Sequence, residues 1–139
     1  MNDTARGPLA EIIMQQLLER HGHTDIRVEA RGLVVLFPEP CNPKVVAVLR
    51  SQGLILGNRS SKELTEADLT DDTLVLAVGI KEKEQLLSQY EPKHLYTIRE
   101  FAGDTGEITD PYGRDMEAYV TCAKELHHWL TFVEERLYS

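Results

Sequence analysis

The chain has 139 residues, 42% of them hydrophobic and 27% charged, with nine glycines and six prolines. This composition suits one soluble globular domain over residues 1–139 and excludes a disordered or fibrous chain. Fifteen Lys and Arg against 23 Asp and Glu leave a formal net charge of −8, so neither nucleic acid nor an anionic membrane is expected as a partner, and any anion must be captured locally by a few aimed groups.

From Pro8 to about His21, the apolar residues Leu9, Ile12, Ile13 and Leu17 recur at offsets of 0, 3, 4 and 8, one face of a helix. Pro8 suits the first helical position, where its missing N–H has no partner to lose. His21-Gly22-His23 ends that helix, and Ile26-Arg27-Val28-Glu29-Ala30 alternates apolar and polar residues as a half-buried strand does. Residues 33–43 contain Pro38, Pro40 and Pro43, which forbid a central strand or an unbroken helix and predict a structured loop. Pro43 opens a short amphipathic helix with Val45, Val48 and Leu49 inward, ending at Gly53. Residues 57–72 are polar and turn-rich. Leu74-Val75-Leu76-Ala77-Val78 is a continuous apolar run of the kind buried on both faces of a parallel sheet.

Residues 80–90 read as an exposed helix anchored by Leu86 and Leu87, and Leu95-Tyr96-Thr97-Ile98 as a short strand. Residues 103–113 lack periodicity, and long ordered loops are often functional. A helix from about Met116 to Leu137 aligns Tyr119, Ala123, Leu126, Leu130, Val133 and Leu137 on one stripe, with Tyr119 and Trp129 as core aromatics. Alternating strands and helices predict an α/β fold, a three-layer α/β/α sandwich around a parallel sheet whose ligands bind beyond the carboxyl ends of the strands. The longest apolar run, Leu33 to Phe37, is too short to cross a bilayer. Cys41 and Cys122 lie in unrelated segments without C-x-x-C spacing, and nothing ahead of them reads as a signal peptide, so reduced thiols in a cytoplasmic protein are expected.

Two places could carry chemistry. Asn2-Asp3-Thr4-Ala5-Arg6-Gly7-Pro8 leads into the first helix, where backbone N–H groups converge on an anion and a guanidinium can clamp two phosphate oxygens. A frayed terminus with a solvated Arg6 is the alternative. Asp110-Pro111-Tyr112-Gly113 offers a carboxylic acid that could protonate a leaving oxygen beside a bound phosphate ester, or simply a type I turn. His21 with His23, and His127 with His128, lack the i, i+4 spacing and companion ligands of a metal site, so no metal or cofactor is expected.

Four segments, in order, resemble the low-molecular-weight protein-tyrosine phosphatases. In that family a strand ends in a phosphate-binding loop (P-loop) of pattern C-x5-R-S, followed by Pro and a helix containing Ala-Glu. Thr4-Ala5-Arg6-Gly7-Pro8-Leu9-Ala10-Glu11 is similar to its second half. Glu29-Ala30-Arg31-Gly32-Leu33 resembles the end of the second strand, and Asn58-Arg59-Ser60-Ser61-Lys62-Glu63-Leu64 the H-R-S-x-x-L segment. Arg99-Glu100-Phe101-Ala102-Gly103, with Ile108-Thr109-Asp110-Pro111-Tyr112-Gly113, is similar to the bacterial acid-bearing loop. The resemblance implies that Asp3, Thr4, Ala5, Arg6 and Gly7 surround phosphate, that Arg6 clamps it, that Asp110 is the general acid and that Tyr112 walls the pocket. Thr4 falls where a threonine marks the phosphoarginine branch, so protein phosphoarginine joins phosphotyrosine as a substrate candidate. The implied mechanism is thiolate attack on phosphorus, protonation of the leaving group, then hydrolysis of a phosphocysteine.

The departures bear on activity. The C-x5-R spacing puts the nucleophile immediately before Met1, Ala5 holds the place of the loop's second cysteine, Gly7 replaces a serine and Asp3 replaces an asparagine. A carboxylate inside an anion-binding loop repels phosphate. An arsenate-reductase variant would need a cysteine within residues 79–89, and none is there. The family's central first strand also falls before Met1, so a chain beginning upstream, a rearranged sheet, or a partner completing it is expected, the first being favoured. The implied function is that of a phosphotyrosine or phosphoarginine phosphatase, impaired or inactive without the cysteine; the alternative is a pseudophosphatase that binds a phosphorylated protein, a small oxyanion or a protein partner.

Overall fold

The computed structural model describes residues 5–35, 37–55 and 60–139. Its elements are α1 (Arg6–Arg20), α2 (Pro43–Ser51), a 3-10 turn (Glu66–Asp68), β1 (Val75–Ala77), α3 (Ile80–Gln89), β2 (Leu95–Thr97), α4 (Ile98–Phe101) and α5 (Met116–Leu137). β1 and β2 pair in parallel, with Val75 opposite Leu95, Leu76 opposite Tyr96 and Ala77 opposite Thr97, and α3 is the crossover between them. α3 packs on both strands, while α1, α2 and α4 gather on α5. This is the expected α/β fold, with the sheet as the middle of three layers.

Helix α1 begins at Arg6, two residues before the expected start. Its first backbone bond runs from the Leu9 N–H to the Ala5 carbonyl at 3.1 Å. Pro8 is therefore the third helical residue, and it is tolerated because the first four N–H groups of a helix have no intrahelical acceptor. Leu9, Ile13, Met14, Leu17 and Leu18 are buried, and Ile12 is half-buried at the edge of that stripe. They meet the α5 stripe, where Tyr119, Ala123, Leu126, Leu130 and Val133 are buried as expected and Cys122 joins them. Burying each large aliphatic side chain there contributes roughly 1.5–3 kcal/mol. Helix α2 has the expected inward set of Val45, Val48 and Leu49, with Asn42 as its N-cap accepting from the Lys44 N–H at 2.9 Å.

Five expectations need correction. Residues 26–30 form no strand, although Ile26 and Val28 do pack on the core. Side chains of α1 take bonds that a neighbouring strand would make: Gln15 Nε2 donates to the Val28 carbonyl at 3.0 Å, and the Ala30 N–H donates to Glu11 Oε1 at 2.7 Å. The apolar run 74–78 yields only the three-residue β1, with Val75 and Leu76 half-buried because β1 has one strand neighbour among the described residues. Ile98 belongs to α4, not to β2, since Thr97 and Glu100 form a reciprocal capping box that starts a helix there. Leu87 is 54% exposed, and Leu86 alone anchors α3. Trp129 is half-buried under the guanidinium of Arg99, 4.5 Å from the ring centroid.

Among the described residues, no helix is long and apolar enough to cross a membrane.

Candidate functional site

Arg6 stands in the first turn of α1, behind the buried Ala5, and among the described residues no side chain caps that helix terminus. Its Nη1 donates to the Ile108 carbonyl at 3.1 Å, which ties the start of α1 to the loop between α4 and α5. Its Nη2 lies 3.5 Å from Asp110 Oδ2 and 3.5 Å from Glu82 Oε1. Two sequence-chosen residues, Arg6 and Asp110, thus meet across the fold. The Arg6 side chain is 14% exposed and that of Asp110 54%, so the guanidinium is recessed and the carboxyl group stands at the opening. Asp110 Oδ1 accepts from the Tyr112 N–H at 3.1 Å, an Asx turn that fixes the carboxyl group locally. Tyr112 itself is 72% exposed, at the rim. Gly7 follows Arg6 in the same helical turn. Asp3 and Thr4 lie outside the described residues, as do Asn58 and Arg59.

The loop that presents Asp110 is held by polar side chains. Arg99 Nη1 donates to the Glu107 carbonyl at 2.9 Å, and its Nε donates to Asp104 Oδ2 at 2.9 Å. The Arg99 hydrogen bonds hold the Asp104 carboxyl below its ordinary value. Gly106, at φ +129°, leaves room for that guanidinium, which a Cβ would meet at 2.8 Å. Glu125 on α5 accepts from both the N–H and the hydroxyl of Thr109 at 3.1 Å. Glu107 Oε1 accepts from the Ile80 N–H at 2.9 Å and so caps α3. Within this frame Ile108 and Pro111 are fully buried.

Sequence reasoning passed over Arg99, Glu107, Glu125 and Glu82 as functional residues. A partial signal existed for Glu82, an acid in the first turn of a helix, but only the fold points it at Arg6. In the sequence Cys122 lies in an unrelated segment, yet the fold brings it close enough to the site for the charges of Glu125, Arg6 and Asp110 to act on it. Burial, then Glu125, push its thiol up to about 12, and the opposing pull of Arg6 does not offset them. Burial, then Asp110, also raise the Tyr119 hydroxyl. Of the histidines, His21 Nδ1 lies 2.7 Å from Glu134 Oε1 and His23 stacks on Tyr138 at 3.6 Å, far along α1 and α5 from Arg6.

The fold thus sets a recessed guanidinium at the start of α1 against a carboxyl group from the α4–α5 loop and a second one from α3. The model of the low molecular weight phosphotyrosine protein phosphatases matches residues 1–137, and the chain belongs to that family. It is 30% identical to the low molecular weight protein-tyrosine-phosphatase PtpB of Staphylococcus haemolyticus over 118 residues, 84% of this chain and 80% of the relative. The protein-arginine-phosphatase of Bacillus subtilis is 29% identical and is aligned over 97% of this chain and 91% of its own. Among solved structures, a low molecular weight protein tyrosine phosphatase from T. tengcongensis superposes with a TM-score of 0.89 at 32% identity, covering 96% of this chain and 92% of the other. A YwlE mutant from Bacillus subtilis gives a TM-score of 0.92 at 27% identity, covering 100% and 95%.

Proposed function

We propose that this chain recognises a phosphoryl group on a protein side chain, phosphotyrosine or phosphoarginine, and that its 139 residues bind the group at Arg6 without turning it over. The observation that carries the reading is the pairing of Arg6 with Asp110: a recessed, permanently charged fork that matches phosphate oxygens, with an acid at the opening. Ala5, Arg6 and Gly7, with Asp3 and Thr4 ahead of them, form the phosphate-binding loop in this reading, and Tyr112 lines its rim. The substrate class follows the relatives, one described as a protein-tyrosine and one as a protein-arginine phosphatase. Binding without turnover is supported by the state of one thiol: Cys122 is fully buried, with its thiol pushed up to about 12. The reading carries a cytoplasmic location with it.

The retained acid supports a second reading, in which a chain that also carries the family's cysteine ahead of Met1 hydrolyses the same groups, with Asp110 protonating the leaving atom. One experiment separates the two. Phosphotyrosine and phosphoarginine peptides are offered to the 139-residue chain and to a version extended upstream along its gene. Binding without hydrolysis by both supports recognition alone, and hydrolysis by the extended chain supports the enzyme. No binding by either chain, with both folded, overturns both readings.

A further inference from the structure

Arg6 has two carboxylates on one nitrogen. Nη1 is taken by the Ile108 carbonyl, and Nη2 is shared by Asp110 and Glu82, each at 3.5 Å. A phosphoryl group that engages a guanidinium through two parallel hydrogen bonds needs at least one of those terminal nitrogens. Asp110 is more than half exposed and its carboxyl group stands at the opening, whereas the Glu82 and Arg6 side chains are each only 14% exposed. Glu82 is therefore the recessed acid, beside the guanidinium that a dianion would have to engage.

Position 79 shows that the fold makes room for this contact. Gly79 has φ −158°, an extended backbone that any residue adopts, so conformation does not call for glycine there. What calls for it is space: a Cβ would lie 2.8 Å from Glu82 Oε1 and 3.2 Å from Glu107 Oε1. The missing side chain lets the Glu82 carboxylate fold back toward the start of α3 and reach Arg6.

We propose that Glu82 is the specificity-determining residue of the Arg6 site: it holds the guanidinium against weak anions, so that only a ligand with contacts beyond the phosphoryl group, such as a phosphorylated protein segment, displaces it. The inference rests on Arg6 being the anion-binding group. It makes bare inorganic phosphate a poor ligand of the chain, and a better one once Glu82 is neutralised or displaced.

The test is calorimetric titration of inorganic phosphate into the 139-residue chain and four variants, each checked for folding by circular dichroism. Glu82→Gln is expected to tighten phosphate by about tenfold, the effect of removing one like charge beside a dianion. Gly79→Ala, which keeps the charge but pushes the carboxylate off Arg6, is expected to tighten it in the same direction. Glu84→Gln removes the same charge from an exposed position of α3 and is expected to change nothing. Arg6→Met is expected to abolish binding. Unchanged affinity in folded Glu82→Gln and Gly79→Ala, with Arg6→Met still silent, overturns the role of Glu82 and leaves Arg6 as the anion site. Equal tightening by Glu84→Gln and Glu82→Gln reduces the effect to net charge and also overturns it. If Glu82→Gln does not fold, Gly79→Ala decides alone by the same criterion. Absence of phosphate binding in every folded variant overturns both this inference and the site beneath it.

Discussion

The α1–α5 interface is closed by apolar side chains, with Leu9, Ile13, Leu126 and Val133 all at or below 1% exposure. The loop between α4 and α5, a few residues away, is closed by charges: Arg99 on Asp104 and on the Glu107 carbonyl, Glu107 on the Ile80 N–H, Glu125 on Thr109. Both regions hold Arg6, one through the helix that carries it and the other through the Ile108 carbonyl. The first is non-directional and fails only as a whole, because removing a buried group leaves a cavity in a close-packed interior. The second is directional and can be unhooked one bond at a time. The distance between Arg6 and Asp110, on which the proposed phosphoryl recognition rests, therefore depends on both the core and the loop.

The sharpest way to break that contrast is at Leu126, fully buried on α5. Leu126→Ala is expected to cost about 2–5 kcal/mol, read from the urea unfolding midpoint, and to weaken ligand binding only through the unfolded fraction. Arg99→Leu tests the other region. It should cost about 1–3 kcal/mol from its charge-assisted bonds, with a disproportionate loss of phosphopeptide affinity and faster amide exchange at Ile108–Asp110 in an otherwise protected protein. Equal losses of exchange protection in loop and core would show that the two regions are not separate.

Cys122 lies where they meet. Its folded-state value is raised above the unfolded one, so its contribution to stability is complete below about pH 9 and is lost as pH rises toward about 12. The wild-type unfolding free energy should therefore fall more steeply than that of Cys122→Ala over that window, by about 1.4 kcal/mol per pH unit. Parallel slopes would place the alkaline sensitivity elsewhere, on Tyr119 or Tyr138, whose hydroxyls are raised by burial and by the Asp25 hydrogen bond respectively. The smallest effect is Thr97→Ala, which removes one cap of α4 and should cost about 1 kcal/mol, with no change in ligand affinity.

The same contrast marks what could be read in advance. Periodic apolar stripes gave α2 and α5 their inward residues, because burial against a helix imposes a spacing that survives without knowledge of the partner. Residues 26–30 alternate correctly between inside and outside, but alternation reports a face and not a neighbour, and here the neighbour is the polar side of α1. Thr97-Ile98-Arg99-Glu100 is a capping-box pattern in plain sight, masked because Leu95-Tyr96-Thr97-Ile98 also reads as a short strand. Arg6 and Asp110 have weak local signals, a guanidinium at a helix start and an acid in an aperiodic loop, and the family resemblance is what joins them. Glu82 had only its place in a first helical turn, and its meaning came from Gly79, whose reason for being glycine is three-dimensional.

Helix α1 carries one more consequence. Glu11 and Gln15 lie on its hydrophilic side, yet they hold the Ala30 N–H and the Val28 carbonyl. A saturation scan of this chain should therefore find intolerant positions on both sides of α1, the apolar ones rejecting truncation and these two rejecting loss of hydrogen-bonding reach. On such a map the helix would look buried all round, although water touches a good part of it.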